Sequence, residues 1–541
     1  MKMRSLLGAL LALALTLTAV PALAVTMEDV SIEKPARNVI LLIPDGMSVD
    51  GVTLTRWYLG GGALNLDEMA SGMVRTHSAD APIADSAPAG TAMATGHKSH
   101  TGYVGVLPDE NTMPGLAPIA PEDQKKPVAS ILEAAQLAGK AVGLVATSEI
   151  MHATPADFSA HAPSRKNYDA ISEQQVFQEL DVVLGAGSKY FSAENRQDGD
   201  DLLGVIRGNY QYVTTPDEMK AVKTGRLWGM FAESAMAYDF DREPAKEPSL
   251  AEMTEKSIEL LSQDEDGFFL MVEGSKVDWA AHANDAVGLI SDIGALDEAV
   301  GVALNFAKKD GGTLVISATD HANSGITIGS ANTTSDYDKR PLSDFIDPLR
   351  KASLTGEGIE KMLNEDRSNA AEVMAEYYGI EDLTEEELAA IKSAEAGSMN
   401  YAVGPMIARR ANIGFTTGGH TGGDVTLYVY APESVSLLTG TVDNTDIARY
   451  MAEALGVDLD EASAKLFVRA KPAFEAKGAT VAIDETDAAN PAVVVKKGDK
   501  EVRMTVNRNI ALVNGEAVKL EGVVVNSGDL YVPEGTLALI D

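Results

Sequence analysis

The stretch Val39-Ile40-Leu41-Leu42-Ile43-Pro44-Asp45-Gly46-Met47-Ser48 decides the architecture. Its five consecutive apolar residues leave no face for water, as in a strand covered on both sides, and an acidic residue follows the run almost at once. The same texture recurs at Ala141 to Ala146, Val182 to Leu184, Phe268 to Val272, Thr313 to Ser317 and Val425 to Tyr430. Helical stretches fit between these runs, for example Pro127 to Leu137, ending at Gly139, and Ser249 to Leu261. The alternation, from about Arg37 to Arg469, predicts an α/β fold with a largely parallel central sheet flanked by helices.

Two departures from that texture divide the chain. Between Ser330 and Ile413, the segments Lys351 to Tyr378 and Thr384 to Ala396 read as polar, Glu-rich helices. Residues 330–413 are therefore expected to be an insertion that crowns the sheet. After Lys477, Val502, Met504 and Val506 alternate with polar residues, and Asn514-Gly515 supplies a hairpin turn between Ile510 to Val513 and Ala517 to Leu520. The expected division is a catalytic unit over 25–477 and a small β-rich unit over 478–541. The latter has no His and no convergent polar cluster, which suits a binding or packing module.

Composition narrows the chemistry. A chain of 541 residues, 45% hydrophobic, can bury large cores. With no Cys it has no disulfides, no thiol nucleophile and no Cys-ligated metal, so a metal site must use the eight His or carboxylates. A formal charge of -36 argues against nonspecific binding to nucleic acid or to anionic membranes. Lys2 and Arg4, the apolar stretch Leu6 to Val20 and Ala22-Leu23-Ala24 form a three-part export signal over residues 1–24. Cleavage after Ala24 predicts a secreted, periplasmic or cell-surface protein, and no later apolar run is long enough to span a bilayer.

Three acids follow directly on strand candidates: Asp45, Glu273 and Asp320. In a parallel sheet all three reach the carboxyl edge, where ligands bind, and His321 stands beside the third. Asp278 and His282 are four residues apart, so if Lys276 to Ala286 is helical they share a face and can grip one ion. His420 sits in Thr417-Gly418-Gly419-His420-Thr421-Gly422-Gly423, where glycines allow close backbone approach or simply flexibility. Ser86 precedes the small-residue run Ala89 to Thr95. It would lie at a helix N-terminus, as a plain cap or as a hydroxyl facing an anion. No His neighbours it in sequence, which leaves a metal as its activator. Arg165 offers a bidentate fork for phosphate oxygens, or an ordinary surface charge.

Taken together, these segments resemble the alkaline phosphatase family. The resemblance rests on Ile43 to Ser48, Asp85-Ser86-Ala87, Ala153-Thr154-Pro155 with Arg165, Glu273-Gly274, Asp278 with His282, Thr319-Asp320-His321 and His420-Thr421-Gly422, in family order from roughly Asn38 to Tyr430. It implies a secreted phosphomonoesterase that hydrolyses small phosphate monoesters through a phosphoserine on Ser86, with Arg165 clamping the phosphoryl group. It further implies two zinc ions and one magnesium. Asp278, His282 and His420 would hold the first zinc, Asp45, Asp320 and His321 the second, and Asp45, Thr154 and Glu273 the magnesium. The family also suggests a homodimer. His152 and Trp279, near the third metal or the phosphate, stand where the best-known bacterial members carry Asp and Lys. A phosphodiesterase of the same superfamily and a non-catalytic surface protein retaining the fold are the competing readings. The C-terminal unit resembles the small β domain at the N-termini of copper amine oxidases, with nothing in it to bind copper.

Overall fold

Asn38–Ile43 (β1) lies near the middle of a ten-stranded sheet in a computed structural model that describes residue 27, residues 30–487 and residues 489–541. The export signal expected over residues 1–24 falls outside the described residues. The other strands are Ala70–Arg75 (β2), Ala141–Glu149 (β3), Val182–Ala186 (β4), Gln211–Val213 (β5), Leu227–Met230 (β6), Phe268–Glu273 (β7), Thr313–Ala318 (β8), Val425–Tyr430 (β9) and Gly440–Asp443 (β10). Their order is β10-β2-β9-β8-β1-β7-β3-β4-β6-β5. Alternate residues of β1 enter different cores: Val39, Leu41 and Ile43 pack with Phe269 and Met271 on one face, Ile40 and Leu42 with Leu270 and Val272 on the other. This two-sided burial is why the strand reads as an unbroken apolar run.

All these strands run parallel except β9, which is antiparallel to both β8 and β2. The α/β expectation therefore holds, with one strand reversed. The reversal has a topological cause. β8 ends at the carboxyl edge and the chain then enters the crown. It re-enters through His420–Thr421, paired with Ala322–Asn323, at that same edge, so the next strand must run away from it.

The helices that matter for the site are Ser86–Thr95 (α1), Ala153–Ser159 (α2), Tyr168–Phe177 (α3), Lys276–His282 (α4) and Ala286–Asp310 (α5). The helix expected over Lys276 to Ala286 stops at His282 because Asn284 takes a left-handed conformation (φ 52°) and Asp285 caps α5, accepting from the Val287 amide. Likewise the helix expected from Pro127 begins only at Ile131, after Ser130 closes a capping box with Glu133. The crown holds Ser343–Arg350 (α6), Gly356–Met362 (α7), Ala370–Tyr378 (α8), Glu385–Ser393 (α9) and Met399–Arg410 (α10). Among the described residues no helix is long and apolar enough to cross a membrane.

The C-terminal unit is an antiparallel sheet of Thr480–Asp484 (β11), Ala492–Lys497 (β12), Lys500–Thr505 (β13), Ile510–Val513 (β14) and Glu516–Lys519 (β15), in chain order. Asn514 and Gly515 both have positive φ and turn β14 into β15. Its core includes Ala470 and Phe474 from the preceding helix, while Val523, Val525 and Tyr531 pack on Ala129 and Ala134 of the larger unit.

The edge pair β2–β10 sets a steric limit. A Cβ on Gly72 would meet the Gly440 carbonyl oxygen at 2.1 Å. Gly72→Ala is expected to destabilise the protein by about 1–3 kcal/mol, read as a lowered urea midpoint.

Candidate active site and metal centre

The carboxyl ends of β1, β7 and β8 deliver Asp45, Glu273 and Asp320 to one buried spot. Each is completely inaccessible, and Asp278 from α4 joins them at 5% exposure. Among the described residues, both carboxylate oxygens of Asp45, Oε1 of Glu273 and Oδ2 of Asp320 find no hydrogen-bond partner, nor does the buried Thr154 hydroxyl at the start of α2. Like charges ~4 Å apart repel by about 4 kcal/mol even at an effective dielectric constant of about 20. The consequence shows in the titration of the group. Burial and the Asp320, Asp278 and Glu273 charges push Asp45 well above the usual carboxylate range, and burial with Asp320 raises Glu273 to about 7. Asp278 is held low instead: burial raises it, but the His282 hydrogen bond and the nearby imidazoles outweigh that.

Three histidines converge on these acids. His321 Nε2 lies 3.1 Å from Asp320 Oδ2, 3.6 Å from Asp45 Oδ1 and 3.2 Å from Ser86 Oγ. His282 Nδ1 faces the Gly418 carbonyl at 2.8 Å, and His420 Nδ1 the Ala84 carbonyl at 2.7 Å. Those carbonyls make each Nδ1 a donor, so in the neutral rings both Nε2 atoms carry lone pairs. Yet the two Nε2 atoms sit only 3.1 Å apart, with Asp278 Oδ2 3.3 Å from His282 and Oδ1 3.6 Å from His420. Facing lone pairs beside carboxylates need a cation between them. Two donor sets close enough to share an ion are Asp45, Asp320, His321 and Asp278, His321, His420. His282 adjoins the second set. Imidazole and carboxylate donors of this kind fit zinc, while the hydroxyl and carboxylates of Thr154, Glu273 and Asp45 fit a harder ion such as magnesium.

Local backbone geometry makes the crowding feasible. Gly46 has φ 69°, and a Cβ there would sit 2.5 Å from Asp278 Oδ1. Its amide hydrogen-bonds Asp320 Oδ1 at 3.3 Å, while the Met47 amide donates to Thr319 Oγ1 at 3.1 Å. Asn323 Nδ2 donates to Asp278 Oδ1 at 2.6 Å and fixes its plane.

Ser86 is the first residue of α1, and the capping position belongs to Asp85. The structure thus replaces the plain-cap alternative for Ser86 with a hydroxyl in the first turn, where free amides face outward. No histidine is close to it in sequence, but the fold brings His321 to it from 235 residues away. Asp85 makes no cap bond because it receives Nη1 of Arg165 instead. The other arm of Arg165 donates to His152 Nε2 at 3.2 Å. Burial, with help from Arg165, drives the His152 pKa down to about 3, so this ring is neutral at working pH. Trp279 packs edge-on against it, with centroids 5.9 Å apart. All twelve residues singled out from sequence thus lie in one connected neighbourhood, the His152–Trp279 pair being reached through Arg165.

Sequence reasoning missed several supporting residues. Lys276, 1% exposed, lies over the rings of Tyr238 (4.2 Å) and Trp279 (4.6 Å) and donates to both oxygens of crown residue Glu357 at 2.9 and 3.1 Å. Asp157 is fully buried and takes the Thr91 hydroxyl at 2.9 Å against Gly90, the only residue type that clears it. Asn323 had a faint signal, three residues after Asp320; the others had none. Asn323→Ala is expected to weaken divalent-metal retention about 10–100-fold, measured as metal per chain after dialysis, with the circular dichroism unchanged.

Comparison with known proteins finds two family models, one after the other along the chain. The alkaline phosphatase family model matches residues 36–457, and the copper amine oxidase N-terminal domain model matches residues 461–539. Alkaline phosphatase 4 of Bacillus subtilis is 37% identical over 438 residues, which is 77% of this chain and 88% of that protein. The crystal structure of Thermus thermophilus alkaline phosphatase is similar with a TM-score of 0.68 at 28% identity, covering 80% of this chain and 96% of that one. A variant of the alkaline phosphatase from the Antarctic bacterium TAB5, with a histidine replaced by glutamate and magnesium in its M3 site, matches with a TM-score of 0.56 at 28% identity over 79% of this chain and 99% of that one. The chain belongs to the alkaline phosphatase family.

Proposed function

We propose that this protein is an exported, metal-dependent phosphomonoesterase that works through a covalent phosphoserine on Ser86. The observation that carries the reading is the convergence of Ser86 Oγ, three histidines and four buried carboxylates with an Arg165 fork held at the same edge. Asp278, His282 and His420 would hold one zinc, Asp45, Asp320 and His321 a second, and Asp45, Thr154 and Glu273 a magnesium. When bound, these ions supply Lewis acidity, which favours the deprotonated oxygens of attacker and leaving group and neutralises the site for an anion.

The chain's own groups perform the rest. Ser86 Oγ attacks phosphorus as its proton passes to solvent, the phosphorus–oxygen bond to the alcohol breaks, and the departing oxygen takes up a proton from solvent to leave as the alcohol. Water then displaces Ser86 Oγ from phosphorus, releasing inorganic phosphate and restoring the hydroxyl. Arg165 donates its two arms to the equatorial oxygens, and Asp85 and His152 hold that fork in plane from either side. Neutral His152 orients the guanidinium without adding charge, and it leaves the neighbouring third site one carboxylate poorer than an Asp would. The TAB5 variant described above holds magnesium in its M3 site, which supports magnesium as the ion of the third site here.

A dianionic monoester matches Arg165 and two ions better than a singly charged diester. The formal charge of -36 does not prevent this, because fields from distant surface charges are screened beyond about 8 Å. Export through residues 1–24 and assembly as a homodimer belong to the same reading, supported by the three-part sequence signal and the family resemblance. So does the division into residues 25–477 with their crown and residues 478–541, helix Ala470–Ala476 packing with the latter.

Turnover of a monoester and its matched diester decides the substrate class, and faster diester cleavage would overturn the proposal. Ser86→Ala is expected to abolish phosphoenzyme and to lower kcat by about a thousandfold or more, read by acid-quench trapping of labelled phosphate. Arg165→Ala should cost about a hundredfold on the monoester and far less on the diester. Equal losses would remove its clamping role.

A further inference from the structure

Helix α3 lies between the segment that carries His152, Thr154 and Arg165 and the C-terminal β unit. Its inward side chains hold that segment at both ends. Gln175 Nε2 donates to the Ile150 carbonyl at 2.7 Å and to Ser159 Oγ at 3.0 Å. Gln174 grips the His161 backbone twice, accepting from its amide at 2.8 Å and donating to its carbonyl at 3.0 Å. The His161 ring is fixed in turn by the Gly105 carbonyl at 2.7 Å and Glu133 Oε1 at 2.9 Å. Arg165 follows four residues later, its amide bonded to the Gly102 carbonyl at 2.8 Å.

The outward side of α3 is held by one turn of the β unit. Glu173, only 3% exposed, receives Arg508 Nε on Oε1 at 2.6 Å and Asn507 Nδ2 on Oε2 at 3.0 Å. Among the described residues these are its hydrogen-bond partners, and both come from the β unit. Asn507 Oδ1 also accepts from the same Gln174 Nε2 that holds His161, at 3.1 Å, so a single amide joins the two units directly. The second arm of Arg508 reaches Asp200 and Asn490, and its guanidinium lies 5.2 Å from the centre of the Phe177 ring. Asn507 itself sits at φ 67°, tied by its amide to the Val524 carbonyl at 2.7 Å.

We propose that the C-terminal β unit braces the phosphate-clamp segment through α3, with Arg508 and Asn507 as positioning residues. A carboxylate as buried as Glu173 is costly without its counter-charge, so removing Arg508 loosens the helix whose next two residues hold the Arg165 segment. Another contact of the junction differs: Lys519 with Glu179, at 2.6 Å, docks the unit without touching Gln174, Gln175 or Glu173. The inference rests on Arg165 being the phosphate clamp.

The test measures KM and kcat for a small aryl phosphate monoester, and the competitive inhibition constant of inorganic phosphate, in full-length variants. Arg508→Ala is expected to raise KM and the phosphate inhibition constant about fivefold while kcat changes by less than about twofold, and to speed amide exchange over residues 150–166. Arg508→Lys should recover part of the loss. Arg508→Ala combined with Glu173→Gln should recover most of it, because the neutral amide no longer needs a cation. Asn507→Gly, which keeps the left-handed turn, should act in the same direction and covers the case of a poorly folding Arg508→Ala. Lys519→Ala should leave phosphate affinity unchanged. Unchanged phosphate inhibition in both Arg508→Ala and Asn507→Gly, or an equal effect from Lys519→Ala, overturns the brace. Phosphate inhibition that ignores Arg165→Ala overturns the clamp instead, so the two failures are distinguishable.

Discussion

Four carboxylates crowded into one buried space, where like charges repel, govern this structure. Asp45, Glu273, Asp278 and Asp320 are buried at one sheet edge, and the hydrogen bonds within reach satisfy only part of their oxygens. Folding brings them together because each is fixed to an element that the core demands: β1, β7 and β8 are adjacent strands, and α4 follows β7 directly. The apolar runs that stabilise the sheet thus assemble an electrostatically unfavourable cluster at its end. Divalent cations held by these residues would offset that cost, and in the proposed mechanism they would supply the Lewis acidity that displacement at phosphorus by Ser86 calls for. Stability is spent on the strands and function is gathered at their ends, a division common to parallel sheets.

How much of this could be read from sequence follows from burial. β1, β7 and β8 are covered on both faces, so each reads as a short, largely apolar run with an acid at its end or within two residues of it. β2 and β10 are half exposed and interrupted by Gly72 and Gly440, and β6 is four residues with a glycine inside. None of those has an apolar run to notice. The reversed direction of β9 was hidden because direction depends on where the chain re-enters the sheet, which is a property of the crown. Within the site, Asp278 and His282 could be paired because four residues span one helical turn. Lys276 with Glu357 and Glu173 with Arg508 could not, since 81 and 335 residues separate them and no periodicity links those stretches.

The two additions to the sheet reach the site through different contacts. The crown reaches it through Glu357, which fixes Lys276 against Trp279, and Trp279 in turn lies against His152. The β unit reaches it through Asn507 and Gln174, which fix His161. Arg165 stands where these two supports meet, one contact from His152 and four residues from His161. A guanidinium that must stay aimed at a transient geometry gains from being held on both sides, because freedom lost in folding need not be lost again at each encounter with substrate.

The partners chosen for the buried cations complete the argument. Arg165 and Lys276 are buried or half-buried basic side chains on the elements that build the site, Lys276 only two residues before Asp278. Each is satisfied by an acid that is not part of the cluster: Arg165 by Asp85, Lys276 by Glu357. A lysine ammonium placed among Asp45, Asp320 and Glu273 would relieve their repulsion as a metal ion does, and would compete with the ion for the same oxygens. Pairing these two cations with outside acids keeps them from occupying the cluster's oxygens, which stay available to divalent ions. The oxygens of Asp45, Glu273 and Asp320 that find no hydrogen-bond partner among the described residues are therefore the ones left open to a divalent ion.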